Sequence, residues 1–262
     1  MAALRLAIAG AAGRMGRALV HAAEGNDELI IASGAERADS AEIGAKLTAQ
    51  GAVIHAAPGD AAKLADVWID FTIPKATLSA LAALPGSSVR AAIVGTTGFD
   101  RAGEEAIAKA AEKLVIVKSG NFSLGVNMLA ALVAQAAARL KDWDIEIVEA
   151  HHRRKIDAPS GTALLLGEAA AEARGILLDK SRAAPREGMT GPRNAGEIGF
   201  SSIRGGGIIG EHDVIFAAEE EYLRLSHVAL DRALFARVAL AAARWAADKK
   251  PGLYSMRDVL GL

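Results

Sequence analysis

His151, His152 and Lys155 place two imidazoles and an ammonium in one short stretch, and Asp157-Ala158-Pro159-Ser160-Gly161-Thr162 completes it. The run from Trp143 to Glu149 alternates as a β-strand, and Ala163–Arg174 has helical composition. The turn at Pro159–Thr162 therefore introduces a helix. Amides in the first turn of a helix lack intrahelical partners, so Gly161 and Thr162, with the Ser160 and Thr162 hydroxyls, form a receptor for a carboxylate. Histidine titrates near neutrality and suits proton delivery. Hydride addition to a conjugated C=N or C=C system needs such an acid, and the helix start would hold a carboxylate on the substrate.

Other readings of the segment compete. Adjacent histidines on a strand point to opposite faces, and neither cysteine nor acidic partners stand at metal-ligand spacing. Arg153, Arg154 and Lys155 would suit a phosphate or a nucleic acid, but no aromatics interleave with them. A solvated basic turn is the plainest alternative. A Ser–His–Asp hydrolase lacks its G-x-S-x-G elbow.

The second constellation is Gly10-Ala11-Ala12-Gly13-Arg14-Met15-Gly16, between a first apolar run and a first helical run. A GxxGxxG string alone is weak in a chain with 27 glycines. At a strand–turn–helix junction, however, the amides of Gly10, Ala11, Ala12, Gly13, Arg14 and Met15 would face a pyrophosphate. Gly10 permits the turn, Gly13 the approach of phosphate, and Gly16 close packing of helix on strand. A tight βα turn with no ligand is the alternative. Glu36, twenty positions after Gly16, would accept from adenosine ribose hydroxyls, as NADH requires. Arg37 would pair with a 2′-phosphate, as NADPH requires. Together they imply that NADH and NADPH are both accepted. Gly95-Thr96-Thr97 and Ser119-Gly120-Asn121-Phe122 follow two further apolar runs, where small residues and amides would hold the ribose and nicotinamide ends; ordinary turns would look the same.

These groups need a scaffold, and its pattern changes along the chain. Up to about residue 122, short apolar runs alternate with helices. The strands are Leu4–Ala9, Leu29–Ser33, Val67–Ile73, Ala91–Val94 and Leu114–Lys118, and the helices Arg14–Glu24 and Ala102–Lys113. The strand runs do not alternate, as expected when both faces are buried in a parallel sheet. Beyond residue 122, Val126–Leu140 is apolar nearly all round and reads as a helix buried between layers. Strands at Glu197–Arg204, Asp213–Ala218 and Tyr222–Ala229 suggest an open sheet with helices on one side. Asp179–Ala195 reads as a mobile surface loop. An amphipathic helix, Leu234–Lys249, would return to the first domain. The expected fold is thus α/β, a Rossmann-type parallel sheet over 1–122 with 233–262, plus an α+β domain over 123–232.

The chain has 262 residues, no cysteine and a net charge of −1. It has no disulfides or thiolate zinc site, and no overall attraction for nucleic acid or an anionic membrane. The apolar N-terminal run is too short for a signal peptide, and no stretch is apolar for long enough to span a bilayer. A cytoplasmic protein is expected.

Glu149-Ala150-His151-His152, Lys155 and Asp157-Ala158-Pro159-Ser160-Gly161-Thr162-Ala163 resemble the signature of the bacterial 4-hydroxy-tetrahydrodipicolinate reductase family of the diaminopimelate route to lysine. The glycine loop, Gly95–Gly98, Asn121-Phe122-Ser123, Gly191-Pro192-Arg193, Gly210-Glu211-His212 and Met256–Leu260 extend the resemblance along nearly the whole chain. It implies that His151 is the acid/base residue and Lys155 a second proton donor. It implies further that His152 and the Ser160–Thr162 turn bind a cyclic dicarboxylate. Glu36 would meet the ribose, Arg37 the 2′-phosphate, and Gly95–Thr97 with Ser119–Phe122 the nicotinamide end. A homotetramer follows from the same resemblance. Ala12, where glycine is frequent, and Ser119, in place of alanine or proline, depart from the pattern and bear on cofactor preference. A different dehydrogenase with a Rossmann domain, and a nucleotide sensor without turnover, are the remaining readings.

Overall fold

A computed structural model describes residues 3–231 and 233–261. The chain divides into two compact units, Met1–Phe122 with Ala233–Leu262, and Ser123–Arg232. In chain order the first unit begins with β1 (Leu4–Ala9), α1 (Arg14–Ala23), β2 (Leu29–Ala35), β3 (Ile54–His55), α2 (Pro58–Ala62), β4 (Val67–Asp70), α3 (Pro74–Ala83), β5 (Ala91–Val94), α4 (Arg101–Ala111) and β6 (Val115–Lys118). The second unit holds α5 (Leu124–Arg139), β7 (Asp144–His151), α6 (Gly161–Ala173), α7 (Leu178–Ser181), β8 (Ile198–Arg204), β9 (Glu211–Ala217) and β10 (Tyr222–Val228). The chain then completes the first unit with α8 (Ala233–Ala247), β11 (Gly252–Tyr254) and α9 (Met256–Leu260).

In the first unit the sheet order is β11-β6-β5-β4-β1-β2-β3, every pair parallel. Strand residues alternate between two apolar layers. Leu6, Ile8, Ile69 and Ile93 join the core built on α1 and α8. Ala7, Trp68, Ala92 and Ile116 join the core built on α2, α3 and α4. With both faces covered, the strands read as continuous apolar runs. β1 lies between β2 and β4, so the chain leaves it in opposite directions, and the crevice for a ligand opens at the strands' C-terminal ends.

The sheet of the second unit has the order β10-β9-β7-β8, with β7 and β8 parallel and the other pairs antiparallel. α5 and α6 cover one face through Leu129, Val133, Leu166 and Ala170, packed on Ile145, Ile147, Val214 and Phe216. This is the open mixed sheet that the strand grouping implies.

Three of the expected segments take another form in the structure. The run Val67–Ile73 is a strand only to Asp70, whose carboxylate accepts from the Thr72 amide (3.0 Å) and hydroxyl (2.6 Å) and turns the chain. α5 is buried on one face only; Met128 and Leu132 on the other are 45% and 43% exposed. The expected loop Asp179–Ala195 begins inside α7, and Arg193 ties it to β7 through Asp144 (3.1 Å), Glu146 (3.1 Å) and the Ile145 carbonyl (3.0 Å).

Candidate active site

In the first unit β1 runs into Gly10, whose φ of 58° lies in the left-handed region that glycine adopts without strain. A Cβ on Gly16 would stand 2.3 Å from the Gly10 carbonyl oxygen, and one on Gly13 would stand 3.0 Å from it. The loop therefore packs its own backbone against the first turn of α1, with no room for a side chain at Gly16. Ala11 is buried, Arg14 is exposed and Met15 is half-buried at the start of α1. The Ala12 amide donates to Glu36 Oε1 at 3.0 Å. A cavity of about 370 Å³ lies at this strand edge, lined by Gly10, Ala35, Glu36, Arg37, Thr72 and Ala76. Glu36 and Arg37 thus border one recess, and Arg37 reaches Asp39 at 3.1 Å while remaining 78% exposed. A glycine cradle beside a carboxylate and a guanidinium fits a dinucleotide.

The later turns are held from inside. A Cβ on Gly95 would enter the Phe71 ring. The Thr96 hydroxyl accepts from Thr77 (2.8 Å) and donates to the buried Asp70 (3.3 Å). Phe122 is 1% exposed and packs on Phe71 with ring centroids 5.2 Å apart. Ser119 donates to the Asn121 carbonyl at 2.7 Å. The side chains of Thr96 and Phe122 therefore stabilise their turns, while Thr97 and Gly120 are exposed.

In the second unit, Glu149 and His151 lie two apart on β7 and share a face. The parallel register sets Arg204 of β8 opposite His151, and the antiparallel register sets His212 of β9 opposite Glu149. Glu149 Oε2 stands 2.6 Å from His151 Nδ1. Arg204 donates to both Glu149 oxygens, at 2.8 and 2.7 Å, and to the Asp157 carbonyl at 2.8 Å. Lys155 Nζ donates to both Asp157 oxygens at 2.8 Å. The His212 ring meets His151 edge-on, with centroids 5.1 Å apart.

At the start of α6, Ser160 has another task than the one expected. It is 2% exposed, and its Oγ accepts from the Ala163 amide (3.1 Å) and lies 3.1 Å from His212 Nε2. Its amide donates to Glu149 Oε1 at 3.1 Å. Ser160 caps the helix and fastens it to the sheet. Gly161 and Thr162 follow as the first helical residues, with Gly161 exposed. His152 leaves the strand end, where its Nδ1 accepts from the Arg154 amide at 3.2 Å.

Electrostatics separates these groups. Burial pushes the Glu149 pKa up, but hydrogen bonds from Arg204, Ser202 and His151 outweigh it and hold the carboxyl at about 2. Burial lowers the His151 pKa, and Lys155 and Arg204 lower it further, against the raising effect of Glu149. Burial, with His151 beside it, brings His212 down to about 4. The cluster therefore combines a permanent carboxylate, two cations and a neutral-leaning imidazole, suited to moving a proton beside a bound anion.

Sequence reasoning passed over Glu149 as a functional group, although a signal was present. It continues the face of Ile145 and Ile147, so a carboxylate stands where the alternation calls for an apolar side chain. Arg204 gave no comparable signal, and His212 stood only within a stretch of the family resemblance, because strand register alone brings both to His151.

Comparison with known proteins places this geometry. Residues 4–122 match the family model described as dihydrodipicolinate reductase, N-terminus, and residues 125–260 match dihydrodipicolinate reductase, C-terminus. The chain is 55% identical to the 4-hydroxy-tetrahydrodipicolinate reductase of Caulobacter vibrioides, over 98% of this chain and 97% of that one. It is 52% identical to the enzyme of the same name from Parvibaculum lavamentivorans, over 99% and 98%. A dipicolinate-bound dihydrodipicolinate reductase from Paenisporosarcina sp. TG-14 shares the fold, with a TM-score of 0.77 at 24% identity, covering 97% of each chain.

Proposed function

The chain belongs to the dihydrodipicolinate reductase family, and on that basis we propose how its two units reduce 4-hydroxy-tetrahydrodipicolinate to tetrahydrodipicolinate in lysine biosynthesis. It is an oxidoreductase of NADH or NADPH, and its first unit is the dinucleotide-binding one. The observation that carries the mechanistic reading is the carboxylate-backed His151 beside Lys155, on the strand that leads to the α6 N-terminus.

Gly10–Met15 would cradle the pyrophosphate, and Glu36 would leave the Ala12 amide to meet the ribose. Arg37 would take a 2′-phosphate where one is present. Gly95–Thr97 and Ser119–Phe122 would hold the nicotinamide end, chiefly through backbone. When bound, the reduced nicotinamide supplies hydride to ring C4, vacated by loss of water. His151 Nε2 delivers the proton that C3 of the resulting enamine takes up, and Lys155 is the second donor. His152 and the amides of Gly161 and Thr162 hold the two carboxylates; their negative charge favours the protonated imidazole and ammonium. Ser160 serves from behind as the helix cap.

The proposed compartment is the cytoplasm; among the described residues no helix is long and apolar enough to cross a membrane. The proposed assembly is a homotetramer.

The test follows nicotinamide oxidation by absorbance, with the product of dihydrodipicolinate synthase as substrate and each cofactor in turn. The expected result is oxidation of both; oxidation of neither would overturn the reading. His151→Gln with Lys155→Ala should keep NADH binding and lose turnover by about 10²–10⁴, the usual contribution of a general acid.

A further inference from the structure

We propose that Glu149 is the positioning residue of the reaction: it holds His151 through Nδ1, so that Nε2 is the nitrogen presented to substrate. The inference rests on the reading of His151 as the proton donor and extends it to the group behind that histidine.

The geometry comes from three directions. Glu149 Oε2 is 2.6 Å from His151 Nδ1, a short charge-assisted contact. The carboxylate cannot rotate away, because Arg204 grips both its oxygens and the Ser160 amide takes Oε1 as well. Its side chain is 1% exposed, against 12% for His151. On the opposite side of the ring, Nε2 lies beside Gly210, which brings no side chain against it. A Cβ there would stand 3.2 Å from Nε2 and 3.6 Å from the His212 ring. One ring nitrogen is thus locked by a carboxylate, and the other faces a position where the chain carries no side chain.

An acceptor-only carboxylate fixes the tautomer. Neutral His151 must carry its proton on Nδ1, which leaves Nε2 with a lone pair that picks up a proton and passes it on. Every charge facing His151 bears on its titration. Lys155 from the following turn and Arg204 from β8 oppose protonation, buried His212 from β9 adds no charge near neutrality, and Glu149 alone favours the imidazolium. Asp157 acts at one remove by pairing with Lys155. Removing the Glu149 carboxylate takes from Arg204 its carboxylate partner, leaving the carbonyls of Ile203 and Asp157, and lowers the His151 pKa. A general acid works only when protonated, so activity would then fail at lower pH as pH rises.

The first measurement needs no mutation. Two-bond ¹⁵N–¹H correlation of the wild-type imidazoles, with His151→Gln to assign the signal, reports the neutral tautomer. A proton on Nδ1 is expected; a proton on Nε2 would overturn the proposal. The second is Glu149→Gln, with NADH binding as the check that the first unit is intact. Expected are a kcat reduced about 10- to 100-fold, a fraction of what a general acid contributes, a substrate KM changed less than kcat, and an alkaline limb moved to lower pH. An unmoved limb would overturn the proposal. If Glu149→Gln does not fold, Arg204→Lys, which keeps the charge but loosens the grip, is expected to reduce kcat and broaden the His151 signal; wild-type behaviour in both would count against it. Full turnover in His151→Gln would overturn the reading of His151 itself, a different result from any of these.

Discussion

At the scale of single residues, burial in the second unit lowers the pKa of His151, His212 and His227, which makes the fold sensitive to acid. His212 is 4% exposed, and its pKa falls from 6.5 to about 4. The unfolded chain therefore binds a proton at His212 that the folded chain refuses. Stability due to this residue is complete above pH 6.5 and is lost as pH falls toward about 4, with a slope of at most about 1.4 kcal/mol per pH unit. His151 and His227 shift the same way. Glu149 extends the trend below them: its carboxyl is held at about 2, so its contribution stands above the ordinary carboxylate range and fades as pH falls through it. His212→Gln keeps a nitrogen near Ser160 and cannot titrate. Urea unfolding of this variant should show a flatter dependence between pH 6.5 and 4 than the wild type; equal slopes would rule out His212 as a source of the acid sensitivity.

At the scale of elements, the junction of β1 and α1 is closed by backbone packed on backbone. Gly16 sits so close that an added methyl would meet the Gly10 and Ala11 carbonyl oxygens at 2.3 and 2.5 Å. Neither atom belongs to a flexible side chain, so Gly16→Ala must push α1 away from the loop. Overpacking of this kind costs about 1–3 kcal/mol, and the displaced amides no longer converge on a phosphate. Fluorescence titration should show NADH affinity reduced at least about tenfold, in keeping with a lost set of charge-assisted hydrogen bonds. Unchanged affinity would mean that close packing here serves the fold without serving the cofactor.

At the scale of the whole molecule, the sheet of the second unit ends in two strands that carry apolar side chains into solvent. Ile203 in β8 is 52% exposed, and Tyr222 and Val228 in β10 are 66% and 51% exposed. Edge strands with such residues pair with other chains unless covered. The proposed homotetramer would cover them with further copies. Sedimentation velocity should give a mass four times that of the chain, and Tyr222→Glu should shift it toward smaller species. A monomer at working concentration would refute the assembly.

What the sequence by itself determined is local. Unbroken apolar runs mark most strands of the first unit, alternation marks β7, a helical period marks the main helices, glycines at spacing three mark the nucleotide turn, and contiguous residues supply His151, Lys155 and the α6 N-terminus. The short elements β3, α2, β11 and α9 lack enough residues for a period to show. The end of β4 was equally hidden, because Asp70 stops it by bonding the Thr72 amide and hydroxyl. The tertiary structure alone decided what grips the Glu149 carboxylate and flanks the imidazole. Arg204 and His212 lie more than fifty positions from His151 and reach it through the pairing of β7 with β8 and β9. Strand register is set by the burial of Ile145, Ile147, Val214 and Phe216 beneath α5 and α6, a sum over distant contacts that no local window of sequence contains.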